Sequence, residues 1–502
     1  MLNPLIASHY CRWKMDENIK RRRNLSSSWF QEVQYIKSSG GFIHDSIEFT
    51  SNEREVKVVS DLIEKGTVLM RIPKTILINL SQVETTDIGK FLFRVLNVIK
   101  ADELFHSKDD LLLALFLAFI DVNEDLEQHQ GIKLYLNTLP SNTSYDNLPR
   151  RWKDDELECL PRRVKERAIS ERNGVHNDFQ VLKAAYENTN QSFESNRPTW
   201  IFPSKDKFDQ MLAAISSRAF HEYGDDGLDT LIPLLDLMNH KRGVGASSDV
   251  SYQRMDDGSI QVSAKCNLKL GTSLGITYGA KANQVLLLRY GFCLDDNIEP
   301  DGSSNDVVEF GLPAIELRSG PKSYTYGPFV KLLERFIPVE SAADGANFDR
   351  EHDSTDDGEC CKMDDYLEFC DEEENDDCLD LYADRDDNEE YYDTNKRDEK
   401  SITCEAIDAL MSALETEMGL YKIQGNELQS ILEKKDGSRK FYSGLLIKSE
   451  LRILRFYHTA AAMIKMKLNG GTYHTSSENT KIITSQAEEL MRVFCLIRFQ
   501  IE

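Results

Sequence analysis

The 502-residue chain has no uninterrupted apolar run of about 18 residues, the length that a membrane-spanning helix requires. Its beginning also lacks the charged-then-apolar order of a secretory signal, because Asp16 and Glu17 precede the basic cluster at residues 20–23. A nuclear signal or part of a transit peptide fits that cluster, but a solvated basic patch is the simpler interpretation. We therefore expect an intracellular protein without membrane association, cytoplasmic or nuclear, and leave an organelle open.

Cysteines at the C-x-x-C spacing of zinc sites are also missing. The ten cysteines are scattered along the chain, and Cys293, which follows the Gly291-Phe292 step, has no partners at ligand spacing. We therefore expect no structural metal. Scattered thiols without a secretory signal are typical of a reducing compartment.

Basic residues are outnumbered, with 60 Lys and Arg against 85 Asp and Glu, so the net charge is -25. Most of the excess lies in residues 349–400, where 24 acidic and 6 basic residues leave -18. This stretch has few aliphatic residues, so we predict a disordered acidic insert at about 340–400. Docking of a basic partner is the functional alternative. Because no basic stripe with interleaved aromatic residues stands out elsewhere, we expect no binding to nucleic acid.

Chemistry concentrates in two stretches, of which the first is LIPLLDLMNH at residues 231–240. Pro233 lies inside its apolar run and argues against a helix. We predict a buried extended segment that enters a polar corner formed by Asp236, Asn239 and His240. The second stretch is GTSLGITYGAKANQVLLLRYGF at residues 271–292.

The second stretch predicts a strand, a turn and a helix in succession. The strand covers residues 273–278, the chain turns at Gly279, and a helix with three consecutive buried leucines covers residues 283–290. Gly291 follows at the position where a glycine commonly ends a helix.

These stretches resemble the SET-domain protein methyltransferases, in particular the branch of the Rubisco large-subunit and actin-histidine methyltransferases. That branch carries a D-x-x-N-H corner, a strand that ends in Y-G, an asparagine before an apolar helix, and a G-F step. Two upstream pieces also match, S-R-A-F at residues 217–220 and LYLNTLP at residues 134–140. The resemblance covers about residues 40–300, and the order of the motifs makes it specific.

The resemblance implies an α+β protein. A SET-domain β-fold of small sheets with a pseudoknot spans residues 36–300, after an N-terminal extension at residues 1–35. A helical insertion at about 87–223 interrupts the β-fold. An all-α, substrate-binding-like domain with the acidic insert occupies residues 301–502.

Local patterns agree with this division. Residues 42–80 read as short strands, with Gly66 at a hairpin turn in EKGT. Residues 109–122 are apolar almost all round and predict a core helix capped by Ser107 or Asp109. The helix-spaced residues Phe179, Leu182 and Tyr186 predict a core stripe.

Beyond residue 301 the pattern is helical on both sides of the acidic insert. We predict amphipathic helices at residues 327–337 and 406–418, a long helix at 440–468, and a last one at 485–499. The basic-then-apolar stretch SELRILRFY at residues 449–457 resembles the signature of the branch's substrate-binding domain.

The resemblance also implies a cofactor, S-adenosyl-L-methionine, and a set of site residues. The catalytic residue is Tyr278, at the methyl-transfer pore. The residues expected to hold the cofactor are Arg218, Asp236, Asn239, His240, Tyr290, Gly291 and Phe292. Taken singly, Tyr278 or His240 is more often a core residue, Asn239 a turn residue, and Arg218 the partner of a carboxylate.

One departure from the family is clear. Its usual G-x-G before the first hairpins aligns with Glu53 and Glu55, which add side chains where bare backbone approaches the cofactor. Lys57 corresponds to a basic residue that the family often keeps at the end of this motif. This departure motivates an alternative from another class, a degenerate SET fold that serves as a binding or scaffold module.

The resulting hypothesis is a protein-lysine N-methyltransferase that acts on a non-histone, lysine-containing protein as a monomer. Its substrate amine must lose a proton, at a free-energy cost of roughly 4 to 5 kcal/mol near neutral pH. A dry channel lowers this cost because burial disfavours the ammonium form. Protein-histidine methylation is the alternative within the same fold, since imidazole needs no such deprotonation.

Overall fold

The computed structural model describes residues 27–50, 55–123, 129–191, 200–220, 229–242, 247–295, 297–299, 304–311, 329–333 and 396–469. The chain divides into two compact units. The first comprises Met1–Asn297 with Ile423–Ile447, and the second comprises Ile298–Lys422 with Lys448–Glu502. The sequence pattern gave no sign that residues 423–447 join the first unit.

The described part of the first unit starts with one helix, which five short strands follow. They are α1 (Ser27–Ser38), β1 (Phe42–Ile43), β2 (Ile47–Thr50), β3 (Glu55–Val58), β4 (Leu62–Ile63) and β5 (Val68–Ile72). Strands β2 and β3 form an antiparallel hairpin. The turn at Gly66 has the expected positive φ of 85°. It does not close a hairpin, because β4 pairs with Leu268–Lys269, while β5 lies between β1 and Ile260–Ala264.

Helices dominate the chain from Leu80 to Arg218. They are α2 (Leu80–Val83), α3 (Asp87–Asn97), α4 (Lys108–Val122), α5 (Gln130–Thr138), α6 (Asp154–Leu157), α7 (Arg162–Gln191) and α8 (Lys205–Arg218). The capping prediction for α4 is confirmed, since the Ser107 hydroxyl accepts a hydrogen bond from the Asp110 backbone N–H. Phe179, Leu182 and Tyr186 are buried in the helical core as predicted.

The remaining elements of the β-fold follow. They are β6 (Asn239–His240), β7 (Val250–Arg254), β8 (Ile260–Ala264), β9 (Leu268–Lys269), β10 (Gly275–Ile276) and α9 (Asn283–Tyr290). One sheet has the strand order β1-β5-β8-β7, while β4 pairs with β9 and β6 pairs with β10. Helix α9 covers the predicted residues. The predicted strand at 273–278 is shorter, with β10 restricted to two residues and an isolated bridge from Ser273 to Lys57.

The C-terminal part contains β11 (Val307–Gly311), β12 (Phe329–Leu333), α10 (Lys396–Gly419), α11 (Gly425–Glu433) and α12 (Arg439–Leu468). The predicted long helix at 440–468 is confirmed, and residues 406–418 lie within α10. The predicted helix at 327–337 is wrong at its centre, because β12 is an antiparallel partner of β11. Within its described residues, the region is therefore helical with one two-stranded sheet. Residues 340–395 of the acidic insert and the predicted helix at 485–499 lie outside the described residues.

Two apolar cores position the polar corner in the first unit. Within the stretch at residues 231–240, Leu231 belongs to the helical core. Ile232 and Met238 belong to the core that the strands form. The stretch at residues 231–238 is thus buried along its whole length. Because this stretch packs in both cores, its backbone holds the following residues, Asn239 and His240, in a fixed position. Across the described ranges of the chain, no helix is both long and apolar enough to cross a membrane.

Candidate active site

The corner begins with a backbone conformation that is unusual for a bulky residue. Leu234 is buried and has a φ of 70°, a region that residues with large side chains rarely adopt. A single turn of 3-10 helix follows at Leu235–Leu237, and the Asp236 N–H donates to the Ile232 carbonyl at 3.2 Å. Strain of this kind persists only where surrounding packing imposes it, and it is concentrated at functional sites.

The last two residues of the corner, Asn239 and His240, form one strand of a parallel pair. Asn239 lies opposite Gly275 and His240 opposite Ile276, so the two motif-bearing stretches meet here. The buried carboxylate of Asp249 supports the pair, accepting hydrogen bonds from the Gly275 N–H at 2.9 Å and the Lys241 ammonium at 2.8 Å. No sequence motif marks Asp249, because its partners Lys241 and Gly275 lie 8 and 26 positions away along the chain.

Tyr278 is tied to the corner at two points. Its phenol donates to the Met238 carbonyl at 2.9 Å, and its backbone N–H donates to His240 Nδ1 at the same distance. Burial raises the pKa of Tyr278 to about 12, although the nearby Arg218 guanidinium acts in the opposite direction. The phenol therefore keeps its proton at neutral pH and stays aimed by the Met238 carbonyl.

Four aromatic side chains surround this point. The Tyr278 and Tyr290 rings stack with centroids 4.9 Å apart, and the His240 imidazole lies 5.0 Å from the Tyr278 ring. Phe292 completes the group, with its centroid 6.2 Å from both His240 and Tyr290. The structure thus brings together four of the residues that the sequence assigned to the site.

Gly291 and Asn283 shape the chain between Tyr290 and Phe292. Gly291 caps α9 in the left-handed conformation, with a φ of 78°, and an added Cβ would meet the Asn147 Cβ at 3.1 Å. The buried Asn283 amide donates to the Leu294 carbonyl at 3.0 Å and accepts from the Leu294 N–H at 2.7 Å. The contribution of Gly291 is therefore through the backbone, which lets Phe292 return to the aromatic group.

Arg218 and Asp236 form a buried ion pair. Arg218 Nη1 donates to the Asp236 carbonyl at 2.7 Å and contacts its Oδ2 at 3.3 Å. The Tyr135 phenol donates to the same Oδ2 at 2.9 Å. Burial works against the charged guanidinium, but Tyr145, Asp236 and Tyr135 outweigh it and raise the pKa of Arg218.

This pairing changes the interpretation of two predicted cofactor ligands. The side chain of Asp236 is only 3% exposed, so its carboxylate acts inside the protein and does not present itself to a bound molecule. The Nη1 atom of Arg218 binds Asp236, while its Nε is buried without a hydrogen-bond partner. Contact between Arg218 and a cofactor carboxylate stays a prediction.

The departure from the glycine motif falls at the β2–β3 hairpin. Glu55 begins β3, and its carboxylate lies 3.4 Å from the Lys57 ammonium. Glu53 lies outside the described residues. The charge of Glu55 is thus partly offset by the basic residue that follows it in the motif.

The residues present suit S-adenosyl-L-methionine. Asn239 presents an exposed amide beside the half-buried His240 ring, a combination suited to a purine and its polar edge. The aromatic faces of Tyr278, Tyr290 and Phe292 suit a sulfonium cation. The orphaned Nε–H of Arg218 is a donor suited to a carboxylate.

Solved structures share this fold. The SET domain of LSMT bound to lysine and AdoHcy superposes with a TM-score of 0.58 at 16% identity, over 90% of this chain and 94% of that one. Rubisco LSMT bound to AdoMet gives 0.56 at 16% identity, over 92% of this chain and 100% of that one. The chain therefore has the SET-domain fold of these structures, as the motifs predicted.

Sequence comparison adds relatives from two yeasts. Ribosomal lysine N-methyltransferase set11 of Schizosaccharomyces pombe is 23% identical over 299 residues, covering 58% of this chain and 67% of the relative. Ribosomal lysine N-methyltransferase 1 of Saccharomyces cerevisiae is 33% identical over 231 residues, covering 37% of each chain. The chain thus spans about two thirds of the first relative and little more than a third of the second. No family model matches the chain.

Proposed function

We propose that the protein is an S-adenosyl-L-methionine-dependent protein-lysine N-methyltransferase that acts on a non-histone protein. The observation that carries the proposal is the Tyr278 phenol, held on the Met238 carbonyl within the aromatic group of a SET fold. The relatives named as lysine N-methyltransferases support lysine over histidine as the acceptor.

The chain's own residues would prepare the substrate amine. The Tyr278 phenol donates a hydrogen bond to the Met238 carbonyl, so the lone pairs of its oxygen stay available. They can accept a hydrogen bond from an N–H of the amine and so orient its nitrogen. The burial that raises the phenol pKa also disfavours an ammonium ion, and the nearby Arg218 charge acts in the same direction. Both effects lower the free-energy cost of presenting a neutral amine.

The cofactor, when bound, supplies a methyl group on a positively charged sulfur that a neutral amine can attack. Asn239 and His240 would hold its adenine side, and Arg218 its carboxylate. Tyr290 and Phe292 would cover the reacting centre and exclude water. The protein's contribution is mainly alignment and desolvation, the two effects from which such a reaction gains most.

Ribosomal proteins are the substrate class that we propose first. The support is that the matched relatives from both yeasts are named for ribosomal lysine methylation.

Tyr278→Phe tests the mechanism. The full chain is incubated with tritiated S-adenosyl-L-methionine and either ribosomal proteins or core histones, and incorporated label is counted. We expect label in a ribosomal protein, and a kcat for Tyr278→Phe that is at least about tenfold lower, equivalent to ~1.4 kcal/mol of lost transition-state stabilisation. Cofactor affinity measured by calorimetry should be unchanged.

Tyr186→Phe is the matched control, because Tyr186 is a buried tyrosine whose phenol donates to the Trp200 carbonyl at 2.8 Å, within the helical core. It should keep full kcat. Equal activity in Tyr278→Phe and Tyr186→Phe would remove Tyr278 from the mechanism. Hydrolysis of the labelled product separates methyllysine from methylhistidine, and absence of any binding heat with the cofactor would instead favour a binding module.

A further inference from the structure

Tyr135 is a buried polar group whose role the proposed function does not include. It lies on α5 with 1% of its surface exposed, inside the apolar core of the helical insertion. Burial first, and then the adjacent Asp236 carboxylate, raise its pKa well above the ordinary value. The phenol therefore stays protonated at any pH at which the protein works, and its hydrogen bond to Asp236 Oδ2 always points in one direction.

The partner of Tyr135 is a carboxylate that cannot turn to solvent. With a side chain 3% exposed, Asp236 depends on fixed donors for the free energy that water would otherwise supply. Its Oδ2 is 2.9 Å from the Tyr135 phenol and 3.3 Å from Arg218 Nη1, so the tyrosine makes the shorter contact. Without that donor, the carboxylate would be drawn towards Arg218 and the Asp236 backbone would follow.

The backbone of Asp236 leads directly to the acceptor of the catalytic phenol. Asp236 lies in the turn Leu235–Leu237, and the Met238 N–H donates back to the Leu235 carbonyl at 3.1 Å. The Met238 carbonyl then accepts the Tyr278 phenol at 2.9 Å. This short turn follows the strained Leu234, so its orientation depends on the side-chain contacts that hold it.

We propose that Tyr135 is a positioning residue for methyl transfer, which acts through Asp236 and the Met238 carbonyl to fix the direction of the Tyr278 phenol. The helical insertion thereby contributes to the reaction geometry. The proposal rests on the proposed function for its kinetic consequence. Its structural consequence, a change in the surroundings of the Tyr278 ring, does not depend on any activity.

A double-mutant cycle tests the kinetic consequence. Tyr135→Phe should lower kcat about tenfold, because the orientation of the phenol is lost. In a Tyr278→Phe background the same substitution should lower kcat by less than about twofold, since the phenol that it orients is already absent. Tyr186→Phe, which removes an equivalent buried hydroxyl elsewhere, should leave kcat unchanged in both backgrounds. Equal losses from Tyr135→Phe in the two backgrounds would mean a general structural defect and overturn the proposal.

A fluorine label tests the structural consequence without any turnover. With 3-fluorotyrosine placed at residue 278 of the full chain, Tyr135→Phe should shift the fluorine resonance and Tyr186→Phe should not. Replacement of Tyr135 by 4-aminophenylalanine keeps a donor of similar shape and should restore the original resonance. An unshifted resonance in Tyr135→Phe, or a 4-aminophenylalanine variant shifted from the native resonance, contradicts the proposal. A shifted resonance in a chain without methyl transfer would contradict the proposed function alone.

Discussion

At the scale of single residues, burial of the Tyr278 phenol links stability to alkaline pH. Its pKa is raised to about 12 in the folded protein, whereas tyrosine in an unfolded chain titrates near 10. A group whose folded pKa is raised contributes stability below the unfolded pKa and loses it as pH rises through the folded pKa. Between about pH 10 and pH 12, the free energy of unfolding should therefore fall more steeply in the native protein than in Tyr278→Phe.

Urea denaturation at a series of pH values measures this difference. Other buried tyrosines, such as Tyr421 beside Glu450, have raised pKa values as well, so both proteins lose stability at high pH. Only the gap between the two curves belongs to Tyr278. Parallel curves across that interval would show that the phenol is solvated in the folded state.

The site residues that sequence predicted all belong to motifs, and the contacts that hold them were not predicted. Tyr278 and His240 were predicted from motif order, and they lie in contact. Tyr135 and Asp236 are separated by 101 positions, so no local pattern marks their hydrogen bond. Asp236 was assigned to the cofactor because it belongs to the motif, yet its carboxylate faces the interior.

At the scale of elements, a buried carboxylate joins α7 to the loop before α4. Asp178, with no exposed surface, accepts hydrogen bonds from the backbone N–H groups of Phe105 and His106 at 2.7 and 3.2 Å. Its second contact with His106 is to Nδ1, at 2.7 Å. Asp178→Asn keeps the shape but removes the charge and one acceptor oxygen, and should lower the free energy of unfolding by about 2–3 kcal/mol.

Asp154→Asn is the matched control. Asp154 also forms an ion pair, with Arg172 at 2.7 Å, but its side chain is 89% exposed. Solvent screens such a pair, so we expect a change below about 0.5 kcal/mol. Urea denaturation followed by far-ultraviolet circular dichroism compares the two variants. If Asp178→Asn cost no more than Asp154→Asn, the buried carboxylate would not hold the loop.

The elements that sequence predicted well are those specified by local contacts. Helix α9 is an apolar run with a glycine at its end, and both features act within a few residues. FVKLL was wrongly predicted as helix because a short, mostly apolar segment has no distinguishing period, and its pairing with Val307–Gly311 makes it a strand. The predicted turn at Gly66 is present, but the predicted hairpin is not. The partners of β4 and β5 depend on strands that are distant in sequence, which a local pattern does not reveal.

At the scale of the whole molecule, charge is distributed very unevenly. Residues 349–395 contain 22 acidic and 3 basic residues, so the chain without them would carry -6 instead of -25. A field of this size changes the rate of encounter with a charged partner more than it changes the fold. For a basic, lysine-rich substrate, the acidic segment should accelerate association.

Replacing residues 349–395 with an uncharged glycine-serine segment of equal length tests this steering. The residues proposed for catalysis lie in the first unit, whereas residues 349–395 belong to the second, so we expect kcat to stay unchanged. Because electrostatic steering acts on the encounter, KM for a basic ribosomal protein should rise at low ionic strength. The difference should disappear as salt shortens the Debye length to about 3 Å at 1 M. Cofactor affinity serves as the internal control and should not change. A KM ratio that is independent of salt would mean that the segment acts by direct contact or not at all, and a lowered KM would mean that it hinders the substrate.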